Sequence, residues 1–455
     1  MAASTNTNSP DQEQITWVDA DDDRLSRFAK TASKEVVAYR PPVPQAPPTA
    51  RVARRVAKLY QDASLALFRM RHKQARTATG SVCVVVPAHN EEDTIARTIT
   101  ALLKQTRRPD RIVIVADNCT DRTVEIARSF GRQVTVIETV GNKHRKVGAL
   151  TLGWQQHVNS GPPAFDYMLG VDADTVLSPN SLEDLEQELL ENPKAGGIMA
   201  RYTFDPELGQ TKFARLLIRL QRMEFSSWTL DILHRRRNTY VLGGQATLFR
   251  VKALQEVVEG ERRHSPWDPE AQVEDMELTW ALNSRGWDCK VSSTARAYAG
   301  PMYTLKSLWA QRRKWDEGMI RLLLGSKLGT ATIYPWRIQL KSGMNALTRA
   351  LFAVLLTASI AVDAFAWNWI WIIPPILAIL LNLKHARKIP GRTRADLVIA
   401  GTLVLVEIYC IFRLMAWFAS WTTVIAGIRR DGWARQYKAE GLPSGQTQIA
   451  VGEVL

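Results

Sequence analysis

The chain is predicted to be an α/β protein, a mostly parallel sheet covered by helices, followed by apolar helices long enough for a membrane. Three observations carry this. Apolar runs of strand length alternate with amphipathic runs of helix length from residue 81 to residue 171. Acidic and amide residues follow each apolar run, where a parallel sheet presents the carboxyl ends of its strands. Beyond Asn345 the composition turns strongly apolar, although the mean hydropathy of the whole chain is only −0.16.

In chain order, Ser81–Pro87 reads as a strand, Thr94–Leu103 as a helix and Arg111–Ala116 as a strand. Asp121–Phe130 is the next helix, Val134–Glu138 a short strand, Val147–His157 a helix and Tyr167–Val171 a strand. The first 80 residues hold an acidic stretch (Asp19, Asp21, Asp22, Asp23), a proline-rich stretch (Pro41 to Pro48) and no apolar core of the kind a signal peptide needs. They are expected to be cytosolic and partly disordered. Arg51 to Lys73 reads as a basic amphipathic helix, packed on the following domain or lying on a membrane surface. The division expected is 1–80, a domain over 81–325, interfacial and transmembrane helices over 326–430, and a C-terminal tail over 431–455.

Ala346–Val362 and Trp369–Leu383 fit a hairpin whose turn carries Trp367, Trp369 and Trp371. The basic segment from Lys384 to Arg394 is expected on the cytoplasmic side. A third apolar stretch, Leu397–Ile428, contains Glu407 and Arg413 and is followed by Arg429, Arg430, Arg435 and Lys438. A single crossing would put basic segments on both sides, so re-entry, two short crossings or one crossing against the rule stay open.

The 455 residues carry 59 Lys and Arg against 45 Asp and Glu, a net charge of +14. A basic chain suits an anionic membrane, a polyanionic substrate or nucleic acid. Its basic residues are spread rather than interleaved with aromatics on one face, which disfavours nucleic acid. Cys83, Cys119, Cys289 and Cys410 are scattered without a C-x-x-C pair, which argues against a disulfide framework or a cysteine-built zinc site and suits a reducing compartment.

Chemistry gathers at the strand ends: Pro87-Ala88-His89-Asn90-Glu91-Glu92, then Ala116-Asp117-Asn118, then Val171-Asp172-Ala173-Asp174. One acidic residue after a strand is ordinarily a helix cap. Three successive clusters on one rim, with no glycine-rich phosphate fingerprint, describe a site. Asp172 and Asp174 leave a strand two residues apart, so both can reach one hard divalent cation. Lys143-His144-Arg145-Lys146 is a solvated basic loop or a diphosphate contact. Glu274-Asp275 precedes an apolar helix, and Gln311-Arg312-Arg313-Lys314-Trp315 follows. His89 and His144 stand near the site and are assigned no role. No Ser-His-Asp or Cys-His arrangement stands out.

Taken in order, Asn90–Glu92, Asp117, Asp172-Ala173-Asp174, Gly243-Gly244, Glu274-Asp275 and Gln311–Trp315, then apolar segments, resemble the family 2 inverting glycosyltransferases, in the branch of cellulose, chitin, hyaluronan and poly-N-acetylglucosamine synthases. The resemblance covers about residues 81–320 and implies a GT-A-like catalytic domain with Mg²⁺ or Mn²⁺. By that resemblance, Asn90, Glu91 and Asp117 face the nucleoside, Lys146 the diphosphate, Asp172 the donor and Asp174 the metal, with Asp172 beside it. Asp275, with Glu274, supplies the general base, and Gln311, Arg312 and Trp315 form a wall near acceptor and diphosphate. Gly243, Gly244 and Gln245 border the acceptor. Two departures are Lys314, where Arg is usual, and Val273, where Thr is usual; the first exchanges a flat bidentate fork for a point charge.

The implied activity is transfer from a nucleotide sugar, UDP-linked by expectation, to a carbohydrate, lipid or protein acceptor at the cytoplasmic face of a membrane. Three alternatives stay open: a processive polysaccharide synthase acting as a homo-oligomer, since about three apolar segments are too few for one copy to form a channel; a polyprenyl-phosphate sugar transferase, against which the two late motifs argue; and a non-catalytic membrane scaffold.

Overall fold

The protein is described from a computed structural model over residues 80–160, 165–205 and 208–441. The expected N-terminal segment and its basic helix lie outside the described residues. The first half is built from β1 (Val82–Ala88), α1 (Ile95–Leu103), β2 (Arg111–Ala116), α2 (Thr123–Arg128), β3 (Thr135–Glu138), α3 (Arg145–Gly153) and β4 (Tyr167–Gly170). Then come β5 (Val176–Leu177), α4 (Ser181–Glu191), β6 (Ala195–Phe204), α5 (Lys212–His234), β7 (Thr247–Arg250), α6 (Val251–Glu261), α7 (Glu274–Ser284) and β8 (Asp288–Ala299). The chain continues as α8 (Leu305–Gly325), α9 (Thr330–Ala361), α10 (Ile373–Ala386), α11 (Arg394–Gly401), α12 (Leu403–Ile425) and α13 (Gly432–Glu440).

The eight strands form one mixed sheet in the order β3-β2-β1-β4-β7-β6-β8-β5. β1 is parallel to both β2 and β4, whereas β7 runs antiparallel to β4 and β6. A central parallel strand is covered on both faces, which is why β1 reads as an unbroken apolar run. Its side chains alternate: Val82, Val84 and Val86 enter one core with Ile95 and Leu185, while Cys83 and Val85 enter the other with Trp154 and Leu254. The strand ends that carry Asn90, Asp117 and Asp172 thus emerge together from a rigid layer. The strands expected from the sequence fall within about a residue of those found.

α9, the 18 residues from Trp369 to the end of α10, and α12 are long and apolar enough to cross a membrane. α9 and α10 do not pack along one another, and each leans on α12 instead. α12 behaves differently from a free span. Tyr409 Oη donates to Glu224 Oε2 of α5 at 2.6 Å, Arg413 reaches Glu224 at 2.7 Å and Asp316 of α8 at 3.3 Å, and Arg313 of α8 donates to Thr423 Oγ1 at 2.5 Å. Past its end, Arg321 of α8 donates to the Ile428 carbonyl at 2.5 Å. α12 therefore lies along α8 for its whole length with both ends on the domain.

The stretch read as a C-terminal tail folds in part. Asp431 caps α13 by accepting from the Trp433 and Ala434 amides, each at 3.0 Å, and α13 packs on α8.

α11 is tied to α5 by a fully buried acid. Asp396 meets Arg219 at 3.0 Å and Arg222 at 3.5 Å, and Arg222 also donates to the Pro390 carbonyl at 2.8 Å. Removing one partner of such a pair strands buried charge. Asp396→Ala is expected to destabilise the protein by about 3–5 kcal/mol, read as a lowered midpoint in thermal unfolding of the detergent-solubilised chain.

Candidate active site

One cleft of about 1630 Å³ receives the strand ends of the sheet, the start of α7, one face of α8 and part of α13. At its centre stands Lys146, in the first turn of α3. Its Nζ lies 2.9 Å from Asp172 Oδ1, 3.2 Å from Glu274 Oε1 and 3.7 Å from Asp275 Oδ2. Burial opposes its charge, but Asp172, Asp275 and Glu274 outweigh burial and hold the ammonium well above the ordinary lysine range. The basic loop of the sequence thus delivers one lysine inward, while Arg145 turns to pair with Asp431 ahead of α13.

Asp275 lies in the first turn of α7, where the helix dipole favours a carboxylate. Its Oδ2 accepts from the Gly244 amide at 2.9 Å. Burial pushes its carboxyl up to about 7; Lys146 pulls it down, and Glu274 and Asp172 push it further up. Glu274 itself is buried behind Lys146. Asp174 is enclosed and raised to about 6 by burial and by Asp172, with the Thr175 hydroxyl opposing. Glu91 is raised to about 8 by burial and by Asp174. The cleft therefore concentrates more negative charge than Lys146 neutralises. Asp172 and Asp174 offer hard oxygen donors beside that excess, which fits a divalent cation completed by ligand oxygens and water. Among the described residues no group of three or more His, Cys, Asp or Glu side chains converges to hold an ion by itself.

At the far rim Asp117 is buried, and its Oδ1 accepts from Thr139 Oγ1 and Asn142 Nδ2, both at 2.7 Å. Asn90 adopts φ 55° and Asn118 φ 48°, left-handed values that asparagine tolerates. The Asn90 side chain accepts from the Thr120 amide at 2.8 Å, so it fastens the two strand-end turns to each other.

Gln311, Lys314 and Trp315 line the cleft, being three and four residues apart on one face of α8. Arg312 does not line it, which corrects the expectation of a donor contact. It is 0 % exposed, gives its guanidinium to Glu224 at 2.9 Å and to Gln311, and stacks on Trp315 at 4.5 Å. Lys314, the departure from the usual arginine, does face inward, 3.1 Å from the Trp433 ring centroid; burial pushes it down to about 8 against Glu274. Gly243 and Gln245 line the cleft as expected. Gly244 serves from behind, because any side chain there would strike Lys146 and Asp172.

Three features were missed. Glu224, the common acceptor of Arg312, Arg413 and Tyr409, is a lone acid within α5 and carries no sequence signal. Trp228, Phe225 and Trp315 form an aromatic wall, with Trp228 and Trp315 centroids 6.4 Å apart. α13 brings Trp433 and Tyr437 over the cleft, Tyr437 lying 5.3 Å from His89. The capping Asp431 followed by Trp433 and Tyr437, four apart, was the available signal.

A methyl group on Gly244 would stand 2.4 Å from Lys146 Nζ and 2.8 Å from Asp172 Oδ1. Gly244→Ala is expected to displace the lysine and destabilise the protein by about 1–3 kcal/mol, read as a lowered midpoint in thermal unfolding.

Comparison with known proteins agrees with this geometry. The family model "Glycosyl transferase family 2" matches residues 83–258, which carry every strand-end motif up to Gly243-Gly244. Poly-beta-1,6-N-acetyl-D-glucosamine synthase of Staphylococcus aureus (strain MSSA476) is 25% identical over 248 residues, 53% of this chain and 55% of that protein. The synthase of the same name from Staphylococcus epidermidis is 24% identical over 266 residues, 57% and 58% of the two chains. The chain thus spans a little over half the length of these relatives. Among solved structures, the mannosyltransferase PcManGT from Pyrobaculum calidifontis in complex with GDP-Man and Mn2+ aligns with 85% of this chain and 99% of that one, at 14% identity and a TM-score of 0.46. The chain carries a glycosyltransferase family 2 domain and is similar to the family 2 glycosyltransferases.

Proposed function

We propose that the chain is a membrane-bound, metal-dependent, inverting glycosyltransferase that moves a hexosyl or N-acetylhexosaminyl group from a UDP-sugar to an acceptor hydroxyl. The observation that carries the reading is the convergence of Asp117, Asp172, Asp174, Lys146 and Asp275 on one cleft. The relatives' names make UDP-N-acetylglucosamine the first donor to try.

In this reading Asp117 receives the nucleoside at the rim, with Asn90 and Glu91 beside it. Lys146 stands between the donor side of the cleft, at Asp172, and the base side, at Asp275, so its charge faces the diphosphate while it orients the base. A divalent cation held by Asp174 and Asp172 would supply charge neutralisation for the diphosphate. Asp275 takes the proton of the acceptor hydroxyl. A group poised near 7 is suited to that, since it is a carboxylate at working pH yet basic enough to accept. Trp315 and Trp228 offer flat apolar faces for the acceptor, and Gln311 and Gln245 polar contacts beside them.

Asp275→Asn is expected to lower kcat by at least about a thousandfold while UDP affinity in calorimetry changes little; joint loss of both would remove Asp275 from the base role. The unprotonated carboxylate is the active form, so kcat/KM should rise with pH through a limb near 7 and level off above it, in a pH–rate profile. Excess EDTA is expected to silence the wild type, and Asp174→Ala to abolish the metal dependence of UDP binding; turnover persisting in EDTA contradicts the metal role.

A further inference from the structure

The cleft does not end at Asp275. Beyond the aromatic wall it runs on between α9, α10 and α12, lined by Arg337, Lys341 and Asn345 of α9, His385 of α10, and Cys410 and Leu414 of α12. The outer faces of the same helices are apolar and exposed, as at Leu340, Met344 and Leu347. An apolar hairpin of this kind sits in lipid.

Two features define what the extension takes. The first is charge. Arg337 and Lys341 are exposed, one turn apart on α9, and neither makes an ion pair or hydrogen bond among the described residues. They stand near the start of the apolar helix, at the level of a phosphate headgroup. The second is depth. No residue of α9 beyond Asn345 lines the cavity, and the sixteen residues from Ala346 to Ala361 span about 24 Å of helix. Of the polar side chains there, Thr348, Thr357 and Ser359 bond to carbonyls of their own helix, and Arg349 is occupied by Glu407. The described residues of α9 beyond Asn345 thus offer no polar lining for a conduit across the hydrocarbon, about 30 Å thick.

We propose that the acceptor is a membrane lipid whose headgroup carries both a phosphate and a free hydroxyl, and that it reaches Asp275 through the extension lined by α9, α10 and α12, its phosphate met by Arg337 and Lys341. This rests on the glycosyltransferase reading above and names its acceptor. The headgroup oxygen bonds to the anomeric carbon as the bond from that carbon to the diphosphate oxygen breaks. The hydroxyl proton passes to Asp275, and the nucleoside diphosphate leaves with the electron pair. A glycerophospholipid and a polyprenyl-diphosphate-linked sugar both answer this description.

The test uses the full chain in phosphatidylcholine nanodiscs with radiolabelled UDP-N-acetylglucosamine and related UDP-sugars. Separate arms add phosphatidylglycerol, polyprenyl-diphosphate-linked N-acetylglucosamine, uncharged diacylglycerol, glycerol 3-phosphate, and a soluble N-acetylglucosamine oligosaccharide. Nucleotide release and the partition of label between organic and aqueous phases are followed together. Label is expected in the organic phase with one of the two phosphate-bearing lipids, about tenfold less with diacylglycerol, and none with glycerol 3-phosphate. The two lipid arms separate the two sources. The combined Arg337→Ala and Lys341→Ala change is expected to raise the KM for the lipid about tenfold, and Arg337→Lys with Lys341→Arg to restore it. Label confined to water-soluble oligosaccharide, or nucleotide release with both lipids unlabelled, overturns the lipid route and leaves the transferase reading standing. Absence of nucleotide release in every arm overturns the transferase reading itself.

Discussion

The half-buried ammonium of Lys146, close to three carboxylates, organises this protein. Without Lys146, Asp172, Glu274 and Asp275 would face one another with no positive charge between them. With it, the acids stay together but are not fully neutralised, and Asp174 and Glu91 remain raised. That leftover negative charge is what a cation and a basic wall are suited to meet. The backbone is shaped around the same contact: Gly244 is bare because Lys146 and Asp172 occupy the space of its side chain, while its amide holds Asp275.

α8 joins this centre to the apolar helices by presenting different residues to each side. Gln311, Lys314 and Trp315 face the cleft, whereas Arg312 and Asp316 meet Glu224 of α5 and Arg413 of α12. A buried acid shared by two arginines and a tyrosine costs desolvation that its partners offset, and breaking any one contact exposes the rest. Glu224 thereby fixes the angle at which α12 lies on the domain. The result is a catalytic cleft and an apolar hairpin with one continuous cavity between them.

Much of this was legible in the sequence, and the reasons are physical. Strands β1, β2 and β4 show as apolar runs because both faces of a central parallel strand are covered, and Asn90, Asp117 and Asp172 follow them because strand ends are where such a sheet is open. The direction of Arg312 was not legible from the motif, because three-residue spacing sets it beside Trp315 while its guanidinium goes to Glu224. The contacts of α12 with α5 and α8 could not be read from hydropathy, since an apolar helix against a domain and one across a bilayer have the same composition; Arg413 was the residue that pointed to a polar partner. Glu224 and α13 depend on contacts between segments far apart in the chain, which no local pattern encodes.

The central claim is that Lys146 serves both the donor side and the base side of one cleft. Its most direct test is the turnover of UDP-sugar by Lys146→Gln beside wild type, with circular dichroism and thermal unfolding confirming that both are folded. A folded variant that binds UDP weakly and transfers no sugar is the predicted result; a folded variant with undiminished turnover would contradict it.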